Sequence, residues 1–211
     1  MLKVGLTGGL ASGKTFVGEE LERLVCLLIQ ADELGHEVLE PAGEAYAGVV
    51  AEFGARILMA DGRIDRGRLA AEVFRAPEQL ARLNALVHPA VLYREEELMA
   101  RFRADQPDGI AVVEAAILIE IGRYKDFDRM ILVYCRPEQQ LERALRRPGA
   151  TEADVRARLA LQMPLEEKKK YVHFTIDTSD EKADTLRQTR AVWKALSGER
   201  QVARPACVEE S

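Results

Sequence analysis

The sequence predicts an α/β fold in which a parallel sheet is flanked by helices and carries a helical insertion and a helical lid. Three observations predict it. A short apolar run, Lys3-Val4-Gly5-Leu6-Thr7, leads into a glycine-rich turn and then a helical pattern. Apolar runs at 25–29, 110–115, 129–135 and 171–177 alternate with helical stretches, the order that builds parallel βαβ units. Between about residues 41 and 107 the strand signal fades and helical spacing replaces it. At 211 residues, 47% of them hydrophobic, the chain suffices for one substantial core with insertions. We therefore expect one domain over 1–200, an insertion over about 41–107, a lid over about 143–166 and a frayed polar tail over 197–211.

The first turn carries the clearest chemistry. Gly8-Gly9-Leu10-Ala11-Ser12-Gly13-Lys14-Thr15 matches the phosphate-binding pattern G-x-x-x-x-G-K-[ST] without a mismatch. Glycines let the backbone turn tightly, some of it at positive φ, so that successive N–H groups converge on a phosphate oxygen. Gly8, Gly9, Ala11, Ser12 and Gly13 are the candidate cradle. A helix then runs over 16–24 from Phe16, and the partial positive charge of its N-terminus adds to the same site. Lys14 is suited to reach the β- and γ-phosphates and the Thr15 hydroxyl to ligate Mg²⁺.

The run Val25-Cys26-Leu27-Leu28-Ile29 suits a strand buried on both faces, and it ends in Gln30-Ala31-Asp32. Ligands of open α/β sheets bind beyond the carboxyl ends of strands, so Asp32 is a candidate general base or a holder of Mg²⁺ through water. Its other reading is the N-cap of a helix over 33–39. In the insertion, Leu69, Val73, Leu80, Leu83, Leu86 and Val87 fall at apolar helical spacing. Asp61-Gly62-Arg63 reads as a turn, Asp65 as a cap for a helix over 66–74, Pro77 as the start of another helix, and His88-Pro89 as a break between helices. His36, His88 and His173 are too scattered for a metal cluster, and the charges over 93–103 read as a solvated helix face.

After the strand at 110–115, Ile117-Leu118-Ile119-Glu120 precedes a further helical stretch, and Arg136-Pro137 ends the strand at 129–135. Helices over 138–147 and 152–163 flank Pro148-Gly149. Arg143 with Arg146 or Arg147 shares one helical face, which suits a mobile lid that closes on a nucleotide and stabilises charge on the transferred phosphoryl; the other reading is a basic face paired with Glu138 or Glu142. Glu166-Glu167-Lys168-Lys169-Lys170 reads as solvated, and Thr178-Ser179-Asp180 as the cap of a closing helix to Leu196.

A net charge of -5 gives no global attraction to nucleic acid or an anionic membrane, so polyanion handling is expected to be local. Cys26, Cys135 and Cys207 lack metal-ligand spacing, and reduced thiols fit a cytoplasmic location. No charged leader precedes the first strand and no apolar run reaches the ~18 residues of a membrane span, so a soluble, unprocessed chain is expected.

Taken together, residues 6–15, Ala31-Asp32-Glu33-Leu34 with Glu40-Pro41, Asp61-Gly62-Arg63-Ile64-Asp65-Arg66 and Leu83-Asn84-Ala85-Leu86-Val87-His88-Pro89 resemble the dephospho-coenzyme A kinase family in order and spacing, over about residues 2–196. The resemblance implies a P-loop kinase core and ATP- and Mg²⁺-dependent transfer of the γ-phosphoryl to the ribose 3′-hydroxyl of dephospho-coenzyme A. Asp32 matches the family's catalytic aspartate, Lys14 and Thr15 its phosphate and Mg²⁺ residues, and Arg143 its lid arginine, with Arg147 a second nucleotide contact. The insertion is then the acceptor-binding part, and the loop from Asp177 lies near the adenine. The chain departs from the family pattern at Val25 (usually glycine), Gln30 (often aspartate), Ala116 (usually proline) and Thr178 (usually asparagine). Two other functions share parts of the pattern: a nucleoside or nucleoside-monophosphate kinase, and a nucleotide-dependent binding switch, against which no guanine-reading Asn-Lys-x-Asp segment is present.

Overall fold

A computed structural model of the chain describes residues 1–73, 76–160 and 162–202. Five strands, β1 (Leu2–Gly8), β2 (Leu27–Gln30), β3 (Ile110–Glu114), β4 (Arg129–Tyr134) and β5 (Phe174–Asp177), form one sheet in the order β2-β3-β1-β4-β5. β1 pairs in parallel with β3 through Leu2 to Leu6 and with β4 through Val4 to Gly8, and β4 pairs in parallel with β5. The chain leaves β1 toward the β2 edge and later crosses from β3 to the β4–β5 edge. The carboxyl end of β1 therefore lies where strand order reverses, the usual ligand position in open α/β sheets.

The helices are α1 (Lys14–Arg23), α2 (Ala31–Glu37), α3 (Tyr46–Phe53), α4 (Arg66–Val73), α5 (Pro77–Asp105), α6 (Pro137–Leu145), α7 (Glu152–Ala160), α8 (Leu165–Lys168) and α9 (Lys182–Val202), of which α1 and α9 pack against the sheet. Val4, Leu6, Ile110, Val112, Ile131, Val133 and Ile176 of the strands pack with Val17 and Leu21 of α1 and Val192 and Leu196 of α9 in one core. Each fully buried aliphatic side chain of this kind contributes about 1.5–3 kcal/mol.

The chain divides into two compact units, residues 1–29 with 102–211, and residues 30–101. Helices α2, α3 and α4 and all but the end of α5 belong to the second unit. In that unit Val38, Val49, Phe53, Ile57, Leu69 and Val73 are buried. Asp65 caps α4 by accepting the Arg68 N–H at 3.0 Å, and Gly62 turns at φ 83° between Leu58 and Ile64, both as the sequence suggests.

Several expectations are corrected. Pro89 does not break a helix: α5 runs through it, forgoing the one backbone bond that proline cannot donate, while Ala90, Val91 and Met99 beyond it are buried. Within the charged stretch of α5, Glu95 is buried, whereas Leu80 is exposed. Residues 117–120 form turns. Thr178, Ser179 and Asp180 precede α9 without capping it; their side chains bond Ser12, Arg136 and Arg136 respectively, and α9 begins after Glu181. α9 also passes Ser197 and Gly198 to reach Val202, held by Leu196 in the core and by Glu199 paired with Arg129 at 2.9 Å, so the expected tail over 197–202 is helix. Phe74, Cys207 and the remainder of the tail lie outside the described residues.

Lys168 also departs from its expected solvated state. It is 2% exposed and its ammonium lies 2.7 Å from Glu120, whose carboxylate also accepts the Met163 N–H. Removing one partner strands a buried charge, so Lys168→Met should cost about 3–5 kcal/mol in chemical denaturation. The double variant Glu120→Leu with Lys168→Met should recover most of that loss; equal losses in both would contradict a paired burial.

At the end of α1, Val25 N–H bonds the Glu22 carbonyl and Cys26 N–H the Leu21 carbonyl, the reciprocal pattern of a left-handed helix stop, with Val25 at φ 66°. β2 consequently begins at Leu27, two residues later than the apolar run suggests. A β-branched side chain is strained in that conformation. Val25→Gly should raise stability by about 1 kcal/mol in urea unfolding at unchanged slope, and a lower midpoint would contradict the cap.

Candidate active site

The turn from β1 into α1 sets the site. Gly8 closes β1 so tightly against β4 that a Cβ would stand 2.2 Å from the Val133 carbonyl oxygen. Ala11 at φ 55° and Gly13 at φ 90° then turn the loop through left-handed conformations, which aim neighbouring N–H groups inward. Ser12 is buried; its N–H bonds the Gly9 carbonyl at 3.2 Å, and its carbonyl accepts the Thr178 hydroxyl at 2.7 Å. Gly13 is the N-cap of α1, so the positive end of that helix adds to the loop.

Lys14 donates to the Gly8 and Gly9 carbonyls, both at 3.1 Å, which holds its ammonium across the first half of the loop. Thr15 Oγ1 donates to Glu114 Oε1 at 3.1 Å. Glu114 is buried at the end of β3, beside β1, and sequence reasoning did not single it out. The signal available was an acidic residue closing an apolar strand, and it gains meaning only once sheet order sets β3 against β1. A hydroxyl next to a carboxylate is an oxygen donor set suited to a hard divalent cation that keeps several waters. Among the described residues no group of three or more His, Cys, Asp or Glu converges on a point.

The arginines arrive from α6. Arg143 donates through Nη1 to Thr178 Oγ1 at 3.0 Å and through Nη2 to the Thr178 carbonyl at 2.7 Å. Arg143 and Arg147 line a cavity of about 210 Å³ with Ala11, Ser12, Gly13, Lys14 and Thr15. The shared face suggested by spacing is therefore that of Arg143 and Arg147, while Arg146 pairs outward with Glu142. Phe16, one turn into α1, carries the Lys182 ammonium over its ring at 5.6 Å.

A second cavity of about 480 Å³ adjoins Gly9 and Ser12 and is lined by Tyr134, Gln140, Gln162 and Lys168 among others. Gln162 accepts the Leu10 N–H at 3.0 Å, tying the segment after α7 to the loop. Burial pushes the Tyr134 hydroxyl up, with the Asp177 carboxylate adding to it. Burial likewise raises the Cys135 thiol against the opposing pull of Arg143, so both groups stay neutral near neutral pH.

Asp32 lies in the other unit, exposed in the first turn of α2 and two residues beyond β2. Its capping alternative is not met: the N-cap of α2 is Gln30, and no side chain bonds there.

A family model described as dephospho-CoA kinase matches residues 2–184. A dephospho-CoA kinase of Thermobifida fusca is 39% identical over 196 residues, covering 93% of this chain and 96% of the relative. One of Geobacter metallireducens is 40% identical over 194 residues, covering 92% and 96%. Among solved structures, dephospho-CoA kinase from Campylobacter jejuni superposes with a TM-score of 0.69 at 26% identity, covering 93% of this chain and 98% of that one. With its parallel sheet, its phosphate loop and these matches along nearly its whole length, the chain belongs to the dephospho-CoA kinase family.

Proposed function

We propose that this chain transfers the γ-phosphoryl of ATP to the ribose 3′-hydroxyl of dephospho-coenzyme A, giving coenzyme A and ADP, the last step of coenzyme A synthesis. Family membership supports the acceptor, and one observation carries the chemistry: Lys14, Arg143 and Arg147 border the same cavity as residues 11–15 of the phosphate loop. Backbone N–H groups of the loop bind the β-phosphate, Lys14 spans the β- and γ-phosphates, and the guanidinium groups meet negative charge on the phosphoryl in flight. The 3′-oxygen bonds to the γ-phosphorus as the bond to the ADP oxygen breaks, and the hydroxyl proton passes to the Asp32 carboxylate. The position of Asp32 at the start of α2, exposed and free of a capping role, supports that assignment.

Thr15 and Glu114 are the residues suited to hold Mg²⁺, with Asp32 through water, and a bound ion would offset negative charge on the phosphates. Gly8 and Gly9 shape the loop, and Phe16 flanks the nucleotide from α1. The reading carries a cytoplasmic location, which the free, buried Cys26 and Cys135 support. Among the described residues no helix is long and apolar enough to cross a membrane, and the net charge of -5 offers nucleic acid no general attraction.

The direct test is ADP release with ATP and Mg²⁺, comparing dephospho-coenzyme A, adenosine and AMP as acceptors. Turnover with dephospho-coenzyme A alone is expected; turnover with adenosine or AMP instead transfers the assignment to the nucleoside or nucleotide kinases. Asp32→Asn should lower kcat by about 10²-fold or more with ATP affinity nearly unchanged, and near-normal kcat rules out the base. Lys14→Ala should lose both nucleotide affinity and rate; calorimetry showing unchanged ATP binding contradicts the cradle.

A further inference from the structure

The geometry points to Thr178 as a positioning residue that holds Arg143 on the phosphate loop, an inference that rests on the kinase function proposed above. Thr178 is 6% exposed and sits directly after β5. Its N–H bonds the Tyr134 carbonyl at 2.9 Å, which fixes its backbone to the neighbouring strand. From that fixed point it reaches both halves of the candidate machinery. Its hydroxyl donates to the Ser12 carbonyl at 2.7 Å, with the Tyr134 carbonyl a longer second acceptor at 3.2 Å, and accepts from Arg143 Nη1 at 3.0 Å, while its carbonyl accepts from Nη2 at 2.7 Å. Its methyl group also lies against Gly13: a Cβ added there would be 3.2 Å from Thr178 Cγ2.

Two consequences follow from the chemistry of these partners. Arg143 N–H, Thr178 O–H and Ser12 C=O form a continuous hydrogen-bond chain, so one hydroxyl sets both the arginine and the loop, and each bond polarises the next. The two prongs on one anchored residue also fix the plane of the guanidinium, which a single bond would leave free to rotate. Moreover, both acceptors are neutral oxygens. They orient Arg143 without cancelling its charge, in contrast to Arg146, whose charge is answered by Glu142. A guanidinium held in place but left positive is suited to charge that develops on a phosphoryl group, since its reorganisation is complete before the reaction. The residue type matters because threonine supplies a donor, an acceptor and a packing methyl at once.

The test is steady-state kinetics on the full chain with Thr178→Val, Thr178→Ser, Arg143→Ala and the Val–Ala double variant. Thr178→Val keeps the shape and the carbonyl prong but loses the hydroxyl; kcat should fall about tenfold or more with KM for ATP changed less than about threefold. Thr178→Ser should restore kcat to within about threefold, and in the Arg143→Ala background Thr178→Val should cost almost nothing further. An unchanged kcat in Thr178→Val overturns the inference, as does a serine variant as slow as valine. So do losses that multiply in the double variant, because Thr178 then acts through something other than Arg143. Should Thr178→Val fail to fold by circular dichroism, Thr178→Ala carries the same expectations. Wild type that does not turn over dephospho-coenzyme A defeats the functional reading alone, and the same ratios are then read from ATP hydrolysis with water as acceptor.

Discussion

The rest of the structure depends on one tight reversal: β1 must end against β4, and α1 must begin within six residues. That reversal requires left-handed backbone at Ala11 and Gly13, a conformation that costs a residue with a Cβ about 1–2 kcal/mol. It survives because the surroundings over-determine it. The Ser12 N–H bonds the Gly9 carbonyl, the Lys14 ammonium clasps two loop carbonyls, Thr15 is tied to Glu114 and the Ser12 carbonyl to Thr178. Two of these anchors lie within the loop and the start of α1, and the other two come from β3 and from the end of β5, so the loop's shape depends in part on the assembled sheet. Strain of this kind persists at functional sites because the neighbouring fold outweighs it.

The same logic separates the chemistry of the two units. The unit holding the sheet supplies the phosphate loop and the arginines, whereas residues 30–101 carry their own set of buried apolar side chains, Val38, Val49, Phe53, Ile57 and Leu69 among them. The point of entry matters: α2 begins immediately after β2, so Asp32 is the second residue of α2 and the third of residues 30–101, while its chain position is set by a strand of the sheet.

Much of this was legible in the sequence where the signal is local. The phosphate loop is a contiguous pattern, the strands are centred on short apolar runs, and the cap at Asp65 and the helix start at Pro77 depend on residues a turn away. What escaped depends on partners distant in the chain. Glu114 lies 99 residues from Thr15, Thr178 lies 166 from Ser12, and Lys168 finds Glu120 across 48 residues of sequence. A run of charges at 166–170 carries no mark that distinguishes the one lysine that turns inward. Pro89 misled for the opposite reason: a strong local breaker was overridden by the burial of the turns that follow it. The position of Thr178 was flagged as a departure, but its role becomes readable only when Arg143 and Ser12 are seen on the same hydroxyl.

Local electrostatics make the proposed nucleotide site compatible with an acidic chain. The net charge of -5 opposes any long-range attraction, and beyond about 10 Å such forces are screened at ordinary ionic strength. Local arrangement decides instead. Arg136, Arg146, Arg156 and Arg190 are each matched by a carboxylate, which removes them as competing anion sites. Around Arg143 the pattern inverts: its bonded partner is the neutral Thr178, and burial keeps the nearby Cys135 as a thiol rather than a thiolate that would answer the guanidinium. Positive charge is thus left uncancelled where Arg143 and Arg147 meet the loop, beside the positive end of α1 and backbone turned toward one point. On the function proposed above, it is this local arrangement, and neither the total charge nor the number of arginines, that suits the loop to a phosphate.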